Sequence, residues 1–150
     1  MSFQGSVLGL DLGSRRIGLA ASDAEGGIAF PIGSLVSRGI EKDLQALCAL
    51  VEEREIMRIV VGLPLHMDGR AGPEAEAARA FARRLGEATG LPVEMLDERW
   101  TTVEAERHLR ELRSGMRRRG SRRSQDVDSV AATILLRAYL ERESRRRAAP

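Results

Sequence analysis

Hydrophobic and polar positions divide the chain into short apolar runs at the start and helical stripes further on. Residues 7–23, VLGLDLGSRRIGLAASD, read as two apolar strands joined by a tight turn at Gly13-Ser14. Ala24-Glu25-Gly26-Gly27 is a turn, and residues 28–36 form a third strand, where Pro31 favours an edge position because it donates no ladder hydrogen bond. Ile40, Leu44, Leu47, Cys48 and Val51 then recur at helical spacing, predicting a helix to about Arg54. RIVVG, residues 58–62, is an unalternating apolar run of the kind covered on both faces. The loop 63–73 and a helix from about Glu74 to Thr89 follow, stopped by Gly90-Leu91-Pro92. Residues 93–96 form the last strand. Thr101 or Thr102 caps a helix to about Leu112, residues 114–124 form an exposed loop, and a final helix opens at Asp126. Its buried stripe is Val127, Val130, Ala131, Ile134 and Ala138. The order β-β-β-α-β-α-β-α-α requires an α/β fold with a mixed sheet, its first strand near the middle.

At 150 residues this is most simply one domain, residues 1–142, followed by a basic flexible tail, 143–150. No apolar run approaches the ~20 residues needed to cross a bilayer, so no membrane partner is expected. The lone Cys48 forms no internal disulfide and reads as a core residue. With no export signal at the N-terminus, this predicts a cytoplasmic protein. Net charge is only +2, yet the charge is unevenly placed. Arg107, Arg110, Arg113, Arg117, Arg118, Arg119, Arg122 and Arg123 face Glu111 alone within one segment, and Arg145, Arg146 and Arg147 follow near the C-terminus. Such a stripe suits phosphate backbones, although a solvated arginine-rich surface gives the same pattern.

Asp11, Glu98 and Asp128 stand where burial makes an acid costly. Asp11 interrupts an apolar strand, so an arginine, a helix N-terminus or a divalent metal must meet it. Glu98 follows the C-terminal end of a strand, where open α/β sheets place ligands. Asp128 lies in the first turn of the last helix and could simply complement its dipole, just as Glu98 could pair with Arg99 or Arg107 at the surface. Carboxylates converging from separate elements suit Mg²⁺ or Mn²⁺, which can promote phosphodiester hydrolysis. Dinucleotide, P-loop, zinc and serine-nucleophile motifs are absent from the sequence.

Four segments together resemble the YqgF/RuvX family: Asp11-Leu-Gly-Ser-Arg-Arg-Ile-Gly18, Ile59-Val-Val-Gly-Leu-Pro-Leu-His-Met-Asp-Gly69, Asp97-Glu-Arg-Trp-Thr-Thr-Val-Glu-Ala-Glu106 and Val127-Asp-Ser-Val-Ala-Ala-Thr-Ile-Leu-Leu136. These are small bacterial proteins of the RNase H-like fold, described as Holliday junction resolvases and as nucleases of pre-16S ribosomal RNA. The resemblance implies a three-layer α/β fold with a five-stranded mixed sheet, first three strands antiparallel, flanked by helices. It implies a metal-dependent nuclease whose catalytic and metal-binding triad is Asp11, Glu98 and Asp128, with Mg²⁺ or Mn²⁺ as cofactor. Arg16, Arg99, Arg117, Arg118, Arg119, Arg122 and Arg123 would hold nucleic acid; Gly13, Gly62, Pro64, Asp68, Gly69 and Thr102 would shape the site. The expected reaction is 5′-end maturation of pre-16S rRNA. The alternatives are resolution of branched DNA, which a two-fold homodimer would suit, or RNA binding without catalysis. Two positions depart from the family pattern: Ser124-Gln125 replaces Lys-Gly, and His66 replaces an asparagine.

Overall fold

The computed structural model describes residues 5–101 and 123–148. Five strands, β1 (Ser6–Leu12), β2 (Arg16–Ser22), β3 (Ala29–Val36), β4 (Ile56–Leu63) and β5 (Val93–Asp97), form one sheet in the order β3-β2-β1-β4-β5. β1 pairs antiparallel with β2 and parallel with β4, β2 pairs antiparallel with β3, and β4 pairs parallel with β5. The first strand is therefore central, as the element order requires. Pro31 lies on the edge strand, and the β2–β3 register slips opposite it, between Leu19 and Ala20.

Strand alternation sorts side chains into two cores. Leu8 and Leu10 of β1 pack with Ile59 and Val61 of β4 against α1 (Ile40–Glu53) and α2 (Pro73–Thr89). Val7, Ala20, Val60 and Leu96 face the opposite way, onto Ala132, Leu135, Leu136 and Tyr139 of α3 (Arg123–Ala148). The result is three layers, with β1 and β4 covered on both faces. α2 begins on Pro73 and ends where Gly90 turns left-handed at φ 72°, matching its sequence signals. α1 starts after Gly39 (φ 104°). The buried Asp43 reaches back there to accept from Arg38 N at 2.9 Å and Ser37 Oγ at 2.6 Å.

α3 departs from the sequence expectation at both ends. It opens at Arg123, three residues before Asp126, and it continues through the segment assigned to a flexible tail, as far as Ala148. Charge removes an apolar face without breaking a helix, and no glycine or proline occurs between Arg123 and Ala149. Glu143 also lies 3.4 Å from both Arg142 and Arg146. Cys48 is half-buried rather than deep in the core. The helix expected from Thr101 or Thr102 to Leu112 and the arginine-rich loop lie outside the described residues, apart from Thr101, which ends a short 3₁₀ turn.

At the end of the sheet remote from the acids, Tyr139 is fully buried. Arg58 donates to its hydroxyl at 2.9 Å, and the Arg142 guanidinium lies 5.3 Å from its ring centre. Burial and the neighbouring Glu94 carboxylate push the phenol up to about 12, so it remains a neutral donor. Among the described residues, no helix is long and apolar enough to cross a membrane.

Candidate active site

Alternation along β1 places Asp11 on the α3 face, after Val7 and Gly9, at the strand's C-terminal end. Its Cα partner on β2 is Gly18. β5 ends at Asp97, and Glu98 opens the 3₁₀ turn Glu98–Thr101. Asp128 lies on α3, where that helix crosses β2.

Asp11 and Glu98 come together through a shared hydrogen bond. Burial is the main cause that pushes the Glu98 carboxyl up to about 8; the bond to Asp11, its charge and that of Asp97 add to it. Burial also raises Asp128, with Asp11 acting in the same direction and the Arg16 guanidinium opposing. Asp128 thus joins the pair through its electric field. Among the described residues, no three His, Cys, Asp or Glu side chains gather tightly enough to enclose an ion. The donors are nonetheless of the right kind: an all-oxygen set in which two carboxyl groups meet has a place for positive charge, and it suits a hard divalent ion.

The raised Glu98 carboxyl has a measurable consequence. The unfolded Glu98 carboxyl titrates near 4.5 and the folded one near 8, so the folded state binds more protons between those values. Stability supplied by this group is complete below about pH 4.5 and declines as pH rises through about 8. In EDTA, melting temperature should therefore fall on going from pH 5 to pH 8 by more in the wild type than in Glu98→Gln. MgCl₂ should restore the wild type most at the alkaline end. Parallel profiles for the two proteins would remove the basis for this pairing.

Arg16 stands beside Asp128, half-buried, with its Nε buried and without a hydrogen-bond partner among the described residues. Gly13 draws the β1–β2 turn tight: its N–H donates to Arg16 O at 2.9 Å, and a Cβ there would lie 2.7 Å from that oxygen. Pro64, Asp68 and Gly69 belong to the β4–α2 loop. Asp68 accepts from Arg70 N at 3.0 Å, Gly69 adopts φ 91°, and Gly69 N donates to His66 O at 2.8 Å. His66 is exposed, and its Nε2 would lie 2.6 Å from a Cβ at Gly72. Arg99 is held by Asp97, to which its Nε and Nη2 donate at 2.9 and 2.6 Å, while Nη1 reaches Met67 O at 3.3 Å. Its charge is largely answered within the protein, and it ties the loop to the strand end that carries Glu98. Thr102, Arg117, Arg118, Arg119 and Arg122 lie outside the described residues, and Arg123 is described only as the first residue of α3.

Two contributors escaped the sequence reading. Asp97 is the partner of Arg99, although the Asp97-Glu98-Arg99 string allowed the choice between two adjacent acids. Ser129 Oγ donates to Leu19 O at 3.0 Å and accepts from Gly33 N at 3.1 Å, fixing α3 to β2 and β3 one residue after Asp128. A small polar residue inside an apolar helical stripe was the available signal.

Solved structures with a similar chain trace place the molecule in the RNase H-like class. Thermus thermophilus RuvC, solved with a Holliday junction substrate, superposes with a TM-score of 0.61 at 15% identity, covering 94% of this chain and 97% of that one. The yeast mitochondrial Holliday junction resolvase gives 0.59 at 12% identity, with 98% and 82% covered. A sequence profile described as RuvX: Holliday junction resolvase matches residues 5–142, and the chain belongs to that family. Among its relatives, a Moorella thermoacetica protein provisionally named pre-16S rRNA nuclease is 47% identical over 136 residues, 91% of this chain and 94% of its own. A Koribacter versatilis protein of the same name is 45% identical over 138 residues, 92% and 88% of the two chains. The chain is a nuclease, a hydrolase of phosphodiester bonds.

Proposed function

We propose that this protein is a divalent-cation-dependent nuclease that matures the 5′ end of pre-16S rRNA. The observation that carries the catalytic part is the meeting of the Glu98 and Asp11 carboxyl groups through a hydrogen bond at the C-terminal edge of the sheet, beside Asp128. The RNA substrate is supported by the relatives' name.

Asp11, Glu98 and Asp128 would hold Mg²⁺ or Mn²⁺. When bound, such an ion acidifies water and takes up negative charge on the reacting phosphate. The chain's own residues prepare the place where this happens. Asp11 is rigid because its strand is paired on both sides, and Glu98 is aimed at it from the start of the 3₁₀ turn. Arg16 offers a fixed positive charge beside Asp128 and a donor for a phosphate oxygen. Arg99, committed to Asp97, keeps the β4–α2 loop in register with Glu98. In the reaction, water adds to phosphorus, one phosphorus–oxygen ester bond breaks, and the departing nucleoside oxygen leaves with a proton.

The test sets a pre-16S rRNA 5′ leader and a four-way DNA junction side by side in MnCl₂. Cleavage of the RNA near the mature 5′ end, abolished by EDTA, is the expected result. Cleavage of the junction alone would replace the RNA substrate with branched DNA. Salt-sensitive binding of either without cleavage would reduce the protein to a nucleic-acid-holding module.

A further inference from the structure

On the α3 face of the sheet, three positions near the acids carry no side chain: Gly9 of β1, Gly18 of β2 and Gly62 of β4. A Cβ at Gly9 would come within 2.9 Å of Leu136 Cβ and 3.3 Å of Ala132 O. A Cβ at Gly18 would overlap the carbonyl oxygen of Asp128 and lie 2.6 Å from its carbon. Both glycines let α3 settle closely on the sheet. Gly62 differs. The nearest atoms to a Cβ there all belong to Glu98: its Oε1 would be overlapped, and its Cγ and Cδ would each lie 2.9 Å away.

We infer that Gly62 is a positioning residue of the nuclease site, its missing side chain being the space through which Glu98 reaches Asp11. The inference rests on the reading of Asp11, Glu98 and Asp128 as the cation-holding acids. Val60, two residues earlier on the same face, fills its place in the core against α3. Continuing that pattern, Gly62 would carry an apolar side chain. Glycine within a strand ordinarily weakens it, so an empty position here needs a compensating use. Glu98 supplies one: its carboxyl lies across the bare backbone of β4, directed at Asp11 on the adjacent strand. The three atoms nearest to a methyl group at position 62 belong to a side chain and not to backbone. Its nearest obstacle would be the end of the Glu98 side chain, which can swing away from β4 while losing its place beside Asp11.

This distinguishes Gly62 from a packing glycine. Gly62→Ala in EDTA should melt at or above the wild-type temperature. Its affinity for MnCl₂, measured by calorimetric titration, should fall at least tenfold, and kcat for an oligonucleotide should fall with KM little changed. In a Glu98→Ala background the same substitution should alter neither melting temperature nor Mn²⁺ affinity, because nothing remains for the methyl group to displace. Wild-type Mn²⁺ affinity in Gly62→Ala would overturn the inference, as would a lower melting temperature in both backgrounds. Failure of the wild-type protein to bind Mn²⁺ would instead overturn the reading of the acids, and this inference with it.

Discussion

Asp11→Asn should cut nucleic acid at least ~10³-fold more slowly than the wild type in MnCl₂ while binding it with similar affinity. A factor of 10³ corresponds to about 4 kcal/mol of transition-state stabilisation, within the range expected of a charge that helps hold a catalytic ion. The substitution keeps shape and removes charge. Asp11 is half-buried at the end of a strand paired on both sides, so an amide fits the same space. The amide can also donate to Glu98, keeping the hydrogen bond that joins the two side chains. Thermal stability in EDTA should therefore be equal or higher. Cleavage gels and fluorescence anisotropy on matched preparations measure both halves of the expectation. Asparagine variants retaining cleavage within tenfold of the wild type would remove Asp11 from the chemistry.

Gly18→Ala should produce the largest stability loss among single-methyl additions near the site, about 1–3 kcal/mol in urea unfolding, in the range of an overpacked core. Its obstacle is the carbonyl oxygen of Asp128. That oxygen belongs to a helix held on β2 and β3 by Ser129 and buried along Ala132, Leu135 and Leu136. Backbone held in this way cannot step aside, so α3 must tilt or β2 must bend. Either movement carries Asp128 away from Asp11, and activity should fall together with stability. An unchanged unfolding midpoint would mean that α3 tolerates more space above β2 than its contacts imply.

Much of this architecture was readable from residue pattern. The end of β1 followed from an apolar run stopped by Gly13, the helix stop at Gly90 from its need for a left-handed backbone, and the edge position of β3 from Pro31. Strand β4 instead begins two residues before Arg58 and runs past Gly62 to Leu63. Asp11 stood out because no apolar strand accommodates a carboxylate cheaply. Its meeting with Glu98 was foreshadowed by the strand ends they share. Other features depend on which residues face each other across elements distant in the chain, and local pattern says little about that. The choice of Asp97 over Glu98 as the partner of Arg99 was one. The clearances at Gly18 and Gly62 were another, since a glycine in a strand looks the same whether a helix backbone, a carboxylate or nothing lies above it. The far end of α3 differs for another reason: the sequence there loses its apolar face, yet charged residues without glycine or proline sustain the helix to Ala148. The triad was expected as one cluster, whereas Asp128 enters through charge and the other two through a direct bond.

The proline on β3 also bears on how the protein behaves at high concentration. An open sheet ends in a row of main-chain groups able to recruit a strand from another molecule, and here Phe30 beside Pro31 offers such a visitor a greasy landing point. Pro31 supplies no N–H, the adjoining register slip breaks the spacing, and Gly33 at φ 105° turns the backbone out of line. A guest strand could therefore zip along only a few residues before losing its template. Growth of cross-β aggregates from this margin is thus disfavoured by the same proline that marked β3 as an edge strand.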